Sequence, residues 1–491
     1  MTFIGIDIGT SAVKAVLVDE TERAVAEAEA SLATSRPRPA WSEQDPAAWW
    51  ATTETVLGRL RAAEPRAFAA VEALGLSGQM HGAVLLDAED RVLRPAILWN
   101  DARAVVECRV LEERVPGLGR IAGVPAMPGF TAPKLLWLRT HEPEVATRIA
   151  RVLLPKDYVR LQLTGEHVTD LSDAAGTLWL DEARRAWSPE ILAASGLTLA
   201  HVPRLVEGSD PAGTIRPEIA DRLGLPRGVL VAGGAGDAAA GGIGIGAVED
   251  GDAFCSIGTS AQYLVAADSY RPYPEAFIHA FCHALPGRWT QTAALLNGAS
   301  CLAWAARLLG ETDIGALLAR VTAAYRGPSR LLFLPYLTGE RTPHNDADAR
   351  GVLFGIDPDS SATDVVQAVL EGVAFSFAEA QDCLADAGTV PGQVAAIGGG
   401  ARSRIWIRIL ANVLNRPITL YAGSEKGPAF GAARLARLAL TGESPQEVCR
   451  KPPVAAVIEP EPDLVAAYRP LDARFRRLYR SLKEEFRLAG A

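Results

Sequence analysis

Three short stretches carry residue types whose spacing suits chemistry on a phosphorylated ligand. The first, Val229–Val248, reads as a buried strand, a turn through Gly233, Gly234 and Gly236, and a helix start with one carboxylate, Asp237, at the corner. An acid isolated among glycines and alanines has few neighbours to bond and much room for a ligand. The same position suits a helix N-cap, and this stretch alone leaves both readings open. The second, Phe3–Asp19, reads as two strands joined by a tight turn, with Ile4, Ile6 and Ile8 on one face and Gly5, Asp7 and Gly9 on the other. Asp7 is flanked there by residues without side chains, which would let a phosphate or metal approach. Thr10, Ser11 and Lys14 add hydroxyls, turn amides and a positive charge of the kind that receive phosphate oxygens. In the third, Met80 and His81 lie between Gly78 and Gly82 after a strand from Val71 to Leu76, where parallel sheets present ligand-binding loops.

The elements that must position these residues repeat. Ile257-Gly258-Thr259-Ser260-Ala261 copies Ile8-Gly9-Thr10-Ser11-Ala12, again between two strands, and the alignment sets Ser256 opposite Asp7. The two halves therefore read as one fold used twice, with two phosphate-facing hairpins of which one is armed with an acid. Val394–Ile397 reads as a buried strand feeding a second glycine corner, Gly398-Gly399-Gly400-Ala401-Arg402, whose nearest charged side chain suits holding a nucleotide. The periodicity predicts helices capped by Asp45, over Phe130–Thr140, over Leu295–Leu309 from near Asn297, from Asp364 to Gly388, over Ile405–Leu414 and from Gly427. A basic amphipathic helix near Phe475–Phe486 reads as a solvated cover. Lys156-Asp157-Tyr158 and Thr169–Asp173 read as loop and helix-start chemistry with no catalytic role.

Length and charge bound the function. The 491 residues exceed one ordinary core, so two domains are expected, 1–246 and 247–491. A net charge of -9 argues against nucleic acid or an anionic membrane as partner, and no apolar run is long enough to span a bilayer. The six cysteines form no CxxC pair, so a cytoplasmic protein with reduced thiols is expected. GxxxxGK[ST], GxSxG and HExxH are absent, and Gly242-Ile243-Gly244-Ile245-Gly246 lacks dinucleotide-binding spacing.

With these residues in view, the chain resembles the FGGY carbohydrate kinases, within the wider sugar kinase, Hsp70 and actin fold. The likeness extends from Phe3 to about Leu440. Two long patterns carry it: Gly129, Thr131, Lys134-Leu135, Trp137-Leu138 and Thr140-His141, then Gly351, Leu353, Gly355-Ile356, Asp364-Val365 and Ala368-Val369-Leu370-Glu371. Trp41-Ser42-Glu43-Gln44-Asp45, Gly78–Gly82, Leu98-Trp99-Asn100-Asp101 and Gly339-Glu340-Arg341-Thr342-Pro343 resemble the xylulose-phosphorylating branch, whereas the glycerol branch carries Arg-Glu at Met80-His81. The resemblance implies an α/β protein of two duplicated actin-like, ribonuclease H-like domains with a cleft between them. It implies ATP and Mg2+ as cofactors and D-xylulose as the sugar, and a homodimer is the assembly to test. It makes Asp237 the catalytic base and places Asp7 beside the metal and the transferred phosphate, with both acids as metal candidates. Met80, His81 and Trp99 become sugar contacts. Thr10, Ser11, Lys14, Gly258, Thr259 and Gly298 fall to the phosphates, and Gly399, Gly400, Ala401 and Arg402 to the adenosine. Many members carry Asn or Gln directly after the catalytic Asp, where this chain has Ala238; that departure bears on the choice of ketose, ribulose being the other candidate. A silent sugar sensor of this fold would be expected to lack Asp237 or Asp7, and an ATPase of the chaperone type would be expected to turn over without sugar.

Overall fold

A computed structural model describes residues 1–422 and 427–489. Its frame is two seven-stranded sheets built on one plan. The first runs in spatial order Pro211–Thr214, Leu230–Ala232, Val71–Gly78, Thr2–Ile8, Ala12–Asp19, Ala24–Ser31, with Ala235–Gly236 pairing on the end of Val71–Gly78. The second runs Ile278–Cys282, Trp289–Leu295, Ala261–Ala267, Ala253–Ile257, Val394–Ile397, Ile418–Tyr421, Val454–Ile458. In each, a hairpin has an antiparallel strand on its outer edge and a parallel strand on its inner one. Asp7 faces Lys14 across the first hairpin, and Ser256 faces Gln262 across the second, so the repeated pentapeptide does mark a repeated fold.

Alternation sets which face of the first hairpin is buried. Ile4, Ile6 and Ile8 are wholly buried on one side, against the helix Pro46–Ala63, whose Trp49, Val56, Leu57 and Leu60 form the expected stripe behind the Asp45 cap. The other face differs from the sequence expectation. A methyl group on Gly5 would sit 1.8 Å from the Ala429 carbonyl oxygen, and one on Gly75 would sit 1.9 Å from that of Ala432. The room beside Asp7 thus belongs largely to the helix Gly427–Thr441, which lays a small-residue face directly on the sheet. The same helix packs on the helix Asp237–Ile245, where a methyl on Gly431 would lie 1.9 Å from the Ala240 carbonyl oxygen. The glycine run after Asp237 is therefore a helix-packing surface.

Two further boundaries shift. Trp289–Leu295 is a strand, so the helix expected from Leu295 begins at Ala299 and ends at Leu308. The last helix, Pro462–Ala489, is no solvated cover: Tyr468, Phe475, Tyr479 and Phe486 are buried in the largest core, that of the second sheet.

These contacts give a stability test by urea unfolding. Gly75→Ala should cost about 3 kcal/mol or more, because the obstructing atom is backbone that has nowhere to move. Gly58→Ala, in the exposed middle of Pro46–Ala63 with nothing near its Cα, should instead gain about 1 kcal/mol.

Candidate functional site

Asp237 is the first residue of its helix, and one carboxylate oxygen accepts the Ala238 N–H at 2.8 Å. It is open to the cleft yet closely ringed by protein. That crowding outweighs the backbone bonds and raises its carboxyl to about 6. Asp7 is raised further, to about 7, first by burial and then by the negative charge of Asp237, against weaker help from Ser77 and Lys14. Its Oδ1 is buried without a partner among the described residues. Two carboxylates that repel each other, one with an orphaned oxygen, are a donor set that fits a hard cation held by one or two acids and by substrate oxygens. No cluster of three or more metal-ligating side chains exists among the described residues.

The turn after Asp7 is braced by two glutamines that sequence reasoning passed over. Gln44 Nε2 donates to the Thr10 carbonyl at 2.7 Å, and Gln79 Nε2 donates to that of Gly9 at 3.3 Å. Thr10 Oγ1 donates to Gln79 Oε1 at 3.1 Å and accepts Trp99 Nε1–H at 2.9 Å. Ser11 is exposed in the turn, and Lys14 pairs with Glu29 at 3.8 Å. Asp7 and Lys14 line a hollow of about 340 Å³ beside the start of the helix Gly427–Thr441.

Met80, His81, Trp99 and Asp237 converge on one cavity of about 440 Å³, closed from the other half of the molecule by His279, Phe281 and Arg341. His81 has φ 69°, a left-handed backbone costly for a bulky residue. The conformation is held from outside: Lys134 Nζ and Thr131 Oγ1 donate to the His81 carbonyl at 2.8 and 3.1 Å, and Lys134 is completely buried. The ring centroid lies 4.2 Å from that of Phe130, the two planes tilted at 43°. Burial lowers His81 to about 3, with Lys134 and Arg341 pressing the same way, so the ring is neutral. Its Nδ1 lies 2.8 Å from the Gly176 carbonyl, which can only accept; Nδ1 therefore carries the hydrogen and Nε2 is left as an acceptor. Methyl groups on Gly176 or Gly236 would strike His81 Nδ1 at 2.6 Å or Met80 Sδ at 2.8 Å.

A second cavity, about 660 Å³, is lined by Thr259, Gly399, Gly400 and Arg402 with Leu302, Ile314, Leu318 and Trp406. Ala401 belongs to the same turn, Gly399–Arg402. Gly258 and Gly298 work through backbone: Ala299 N–H donates to Gly258 O at 2.7 Å and Gly298 N–H to Thr259 O at 3.1 Å, tying the hairpin turn to the helix Ala299–Leu308. Both volumes suit small organic ligands.

The support for Asp237 comes from the segments to which the sequence assigned no role. Lys156, in the first turn of the helix Pro155–Thr164, is buried with Asp157, Asp170 and Asp173 at 2.6, 2.8 and 3.1 Å. Asp170 Oδ2 accepts Ser172 Oγ–H at 2.5 Å, and Ser172 Oγ accepts the N–H of Gly236 at 3.2 Å. Arg160 Nη1 and Nη2 donate to the carbonyls of Ala232 and Gly233, each at 2.5 Å. The glycine corner before Asp237 is thus clamped on both sides. Burial would lower Lys156, but its three carboxylates outweigh it and hold the ammonium above its ordinary value. Burial raises Asp173 well above the carboxylate range, against the opposing pull of Lys156. Lys156→Met should therefore cost at least about 3 kcal/mol in urea unfolding, since it strands buried carboxylates. Asp173→Asn, which keeps the shape of a carboxyl that burial drives towards its neutral form, should cost under about 1 kcal/mol.

Comparisons with known proteins agree with this architecture. Residues 2–244 match the model of the FGGY family of carbohydrate kinases, N-terminal domain, and residues 253–440 match that of the C-terminal domain. A xylulose kinase of Escherichia coli K12 is 47% identical over 481 residues, spanning 98% of this chain and 99% of that protein. Among solved structures, a "xyloylose kinase" from Brucella ovis superposes with a TM-score of 0.96 at 48% identity, covering 99% of this chain and all of that one. The xylulose kinase from Rhodospirillum rubrum superposes at 0.93 with 30% identity, again over 99% and 100% of the two chains. Repeated sheets, the two cavities and family matches over both halves lead to one assignment: the chain belongs to the FGGY family of carbohydrate kinases.

Proposed function

We propose that this kinase transfers the γ-phosphoryl group of ATP to the terminal hydroxyl of D-xylulose, giving D-xylulose 5-phosphate and ADP. The observation that carries the reading is the placement of Asp237. It stands on the wall of the 440 Å³ cavity, with Met80, His81 and Trp99 around it, and its charge acts on Asp7. The relatives named as xylulose kinases supply the choice of sugar. Another ketose, such as ribulose, would use the same nucleotide features and differ at the lining around Met80, His81 and Ala238.

In this reading Asp237 orients the hydroxyl for in-line attack and accepts its proton as the phosphorus–oxygen bond forms. A carboxyl raised to about 6 is a better acceptor than an ordinary one, and is still ionised at neutral pH. His81 Nε2 accepts a sugar hydroxyl, and Met80 packs on the carbon chain. Asp7, with Asp237, would hold Mg2+, which supplies charge neutralisation on the phosphates when bound. Thr10, Ser11 and Lys14 on one hairpin and Gly258, Thr259 and Gly298 on the other are assigned to the phosphates. Gly399, Gly400, Ala401 and Arg402 are assigned to the adenosine. The division into units 1–246 and 247–491 belongs to the proposal, as do a cytoplasmic location, in keeping with six unpaired cysteines, and a homodimer, which light scattering would decide.

Scored by ADP release across a panel of ketoses and polyols, the protein should turn over D-xylulose at the highest kcat/KM; stronger turnover of ribulose, or ATP hydrolysis indifferent to sugar, would overturn the reading. Asp237→Asn should lower kcat at least about a hundredfold with an unchanged melting curve. In the wild type, kcat/KM should fall as pH drops through about 6, because a protonated Asp237 cannot take the proton; a profile flat from pH 5 to 8 would remove Asp237 as the base.

A further inference from the structure

The cavity that Asp237 lines also carries a cation with no task in the reaction described above. Arg341 lines the cavity together with His279, both from the second half of the chain. Its guanidinium makes no hydrogen bond or ion pair with any described residue. Burial lowers its pKa, and the one charge found to support it is Glu340. Glu340 is itself spoken for: Oε1 accepts the backbone N–H of Leu296 at 2.6 Å and that of Arg341 at 2.8 Å, and burial raises the carboxyl to about 7. Arg341, His81 and His279 line the same cavity, and the Arg341 charge adds to the lowering of both rings. His279 is buried, and its Nε2 has no partner among the described residues. Burial keeps it neutral, as it does His81.

The cavity therefore sorts hydrogen bonds by direction. His81 Nε2 and the Asp237 carboxylate accept; Arg341 has donors only. A hydroxyl can satisfy an acceptor or a donor, whereas an oxygen that carries no hydrogen can be matched only by a donor, and a guanidinium is nothing else. In a ketose that oxygen is the carbonyl. We propose that Arg341 donates to the carbonyl oxygen of the ketose and is a specificity-determining residue that favours ketoses over the corresponding polyols, with His279 as its neighbour on the same wall. This rests on the sugar-kinase reading of the cavity.

The test is a comparison of D-xylulose, xylitol and D-xylonate as acceptors, with ADP release as the readout, for the wild type, Arg341→Met and Arg341→Lys. The wild type should prefer D-xylulose to xylitol by at least about tenfold in kcat/KM, the size of one lost charge-assisted hydrogen bond. Arg341→Met should bring the two within about threefold by losing D-xylulose turnover, with KM for ATP unchanged, and Arg341→Lys should restore part of the preference. Equal losses for both acceptors, no loss, or a wild type without the preference would overturn the inference. Faster turnover of D-xylonate than of D-xylulose would overturn it in favour of a carboxylate at Arg341. If Arg341→Met fails to fold, the wild-type ratio and Arg341→Lys still decide. A wild type inactive on every acceptor would instead refute the kinase reading on which the inference stands.

Discussion

The arrangement depends on backbone meeting backbone along the helix Gly427–Thr441. Side chains longer than alanine at the contact points would lift it from the first sheet, and Gly5, Gly75 and Gly431 remove the last obstructing carbon at each. The helix in turn fixes the one that begins at Asp237. Arg434, buried on its face, donates to the Ile243 and Gly244 carbonyls at 2.9 and 3.2 Å, satisfying the end of the Asp237 helix, and pairs at 2.9 Å with Glu22 in the turn between the strands Ala12–Asp19 and Ala24–Ser31. With Arg160 and Ser172 holding the corner in front of it, Asp237 is positioned from both ends of its own helix.

Charge in the cleft is arranged by contrast. The Lys156 cluster is closed: its charges compensate one another inside the protein, and its work is mechanical. The Asp7–Asp237 pair is open: the protein raises both acids and offers no cation that balances them, so the missing charge has to arrive with a ligand. His81 and His279 are kept neutral by burial, which makes them hydrogen-bonding surfaces and removes them as proton carriers near pH 7. Among the described residues that line the first cavity, Asp237 is then the one acid able to move a proton.

The local patterns of the sequence conveyed much of this. The copied pentapeptide revealed the duplicated hairpins, and the glycine corners at Gly233 and Gly398 lie at strand ends as read. Met80, His81, Trp99 and Asp237 share a cavity, and Thr259, Gly399, Gly400 and Arg402 share another. What escaped were contacts between distant segments. Glycine on a strand face signals close approach without saying of what, so Gly5 suggested a ligand where a helix sits. Lys156 and Asp170 are ordinary loop and helix-start residues until the fold buries them together. The terminal helix carried enough Arg to read as solvated, because long basic side chains hid the aromatic stripe of Tyr468, Phe475 and Tyr479.

The helix that completes the first sheet is encoded near the end of the chain. During synthesis, the strand pair around Asp7 emerges first and the segment that must seal its glycine face emerges more than four hundred residues later. Until then the alanine and glycine backbone of that face is bare, and the loop that must close spans more than four hundred residues. The half that presents Asp7 and Asp237 is therefore completed by a segment drawn from the other half of the sequence.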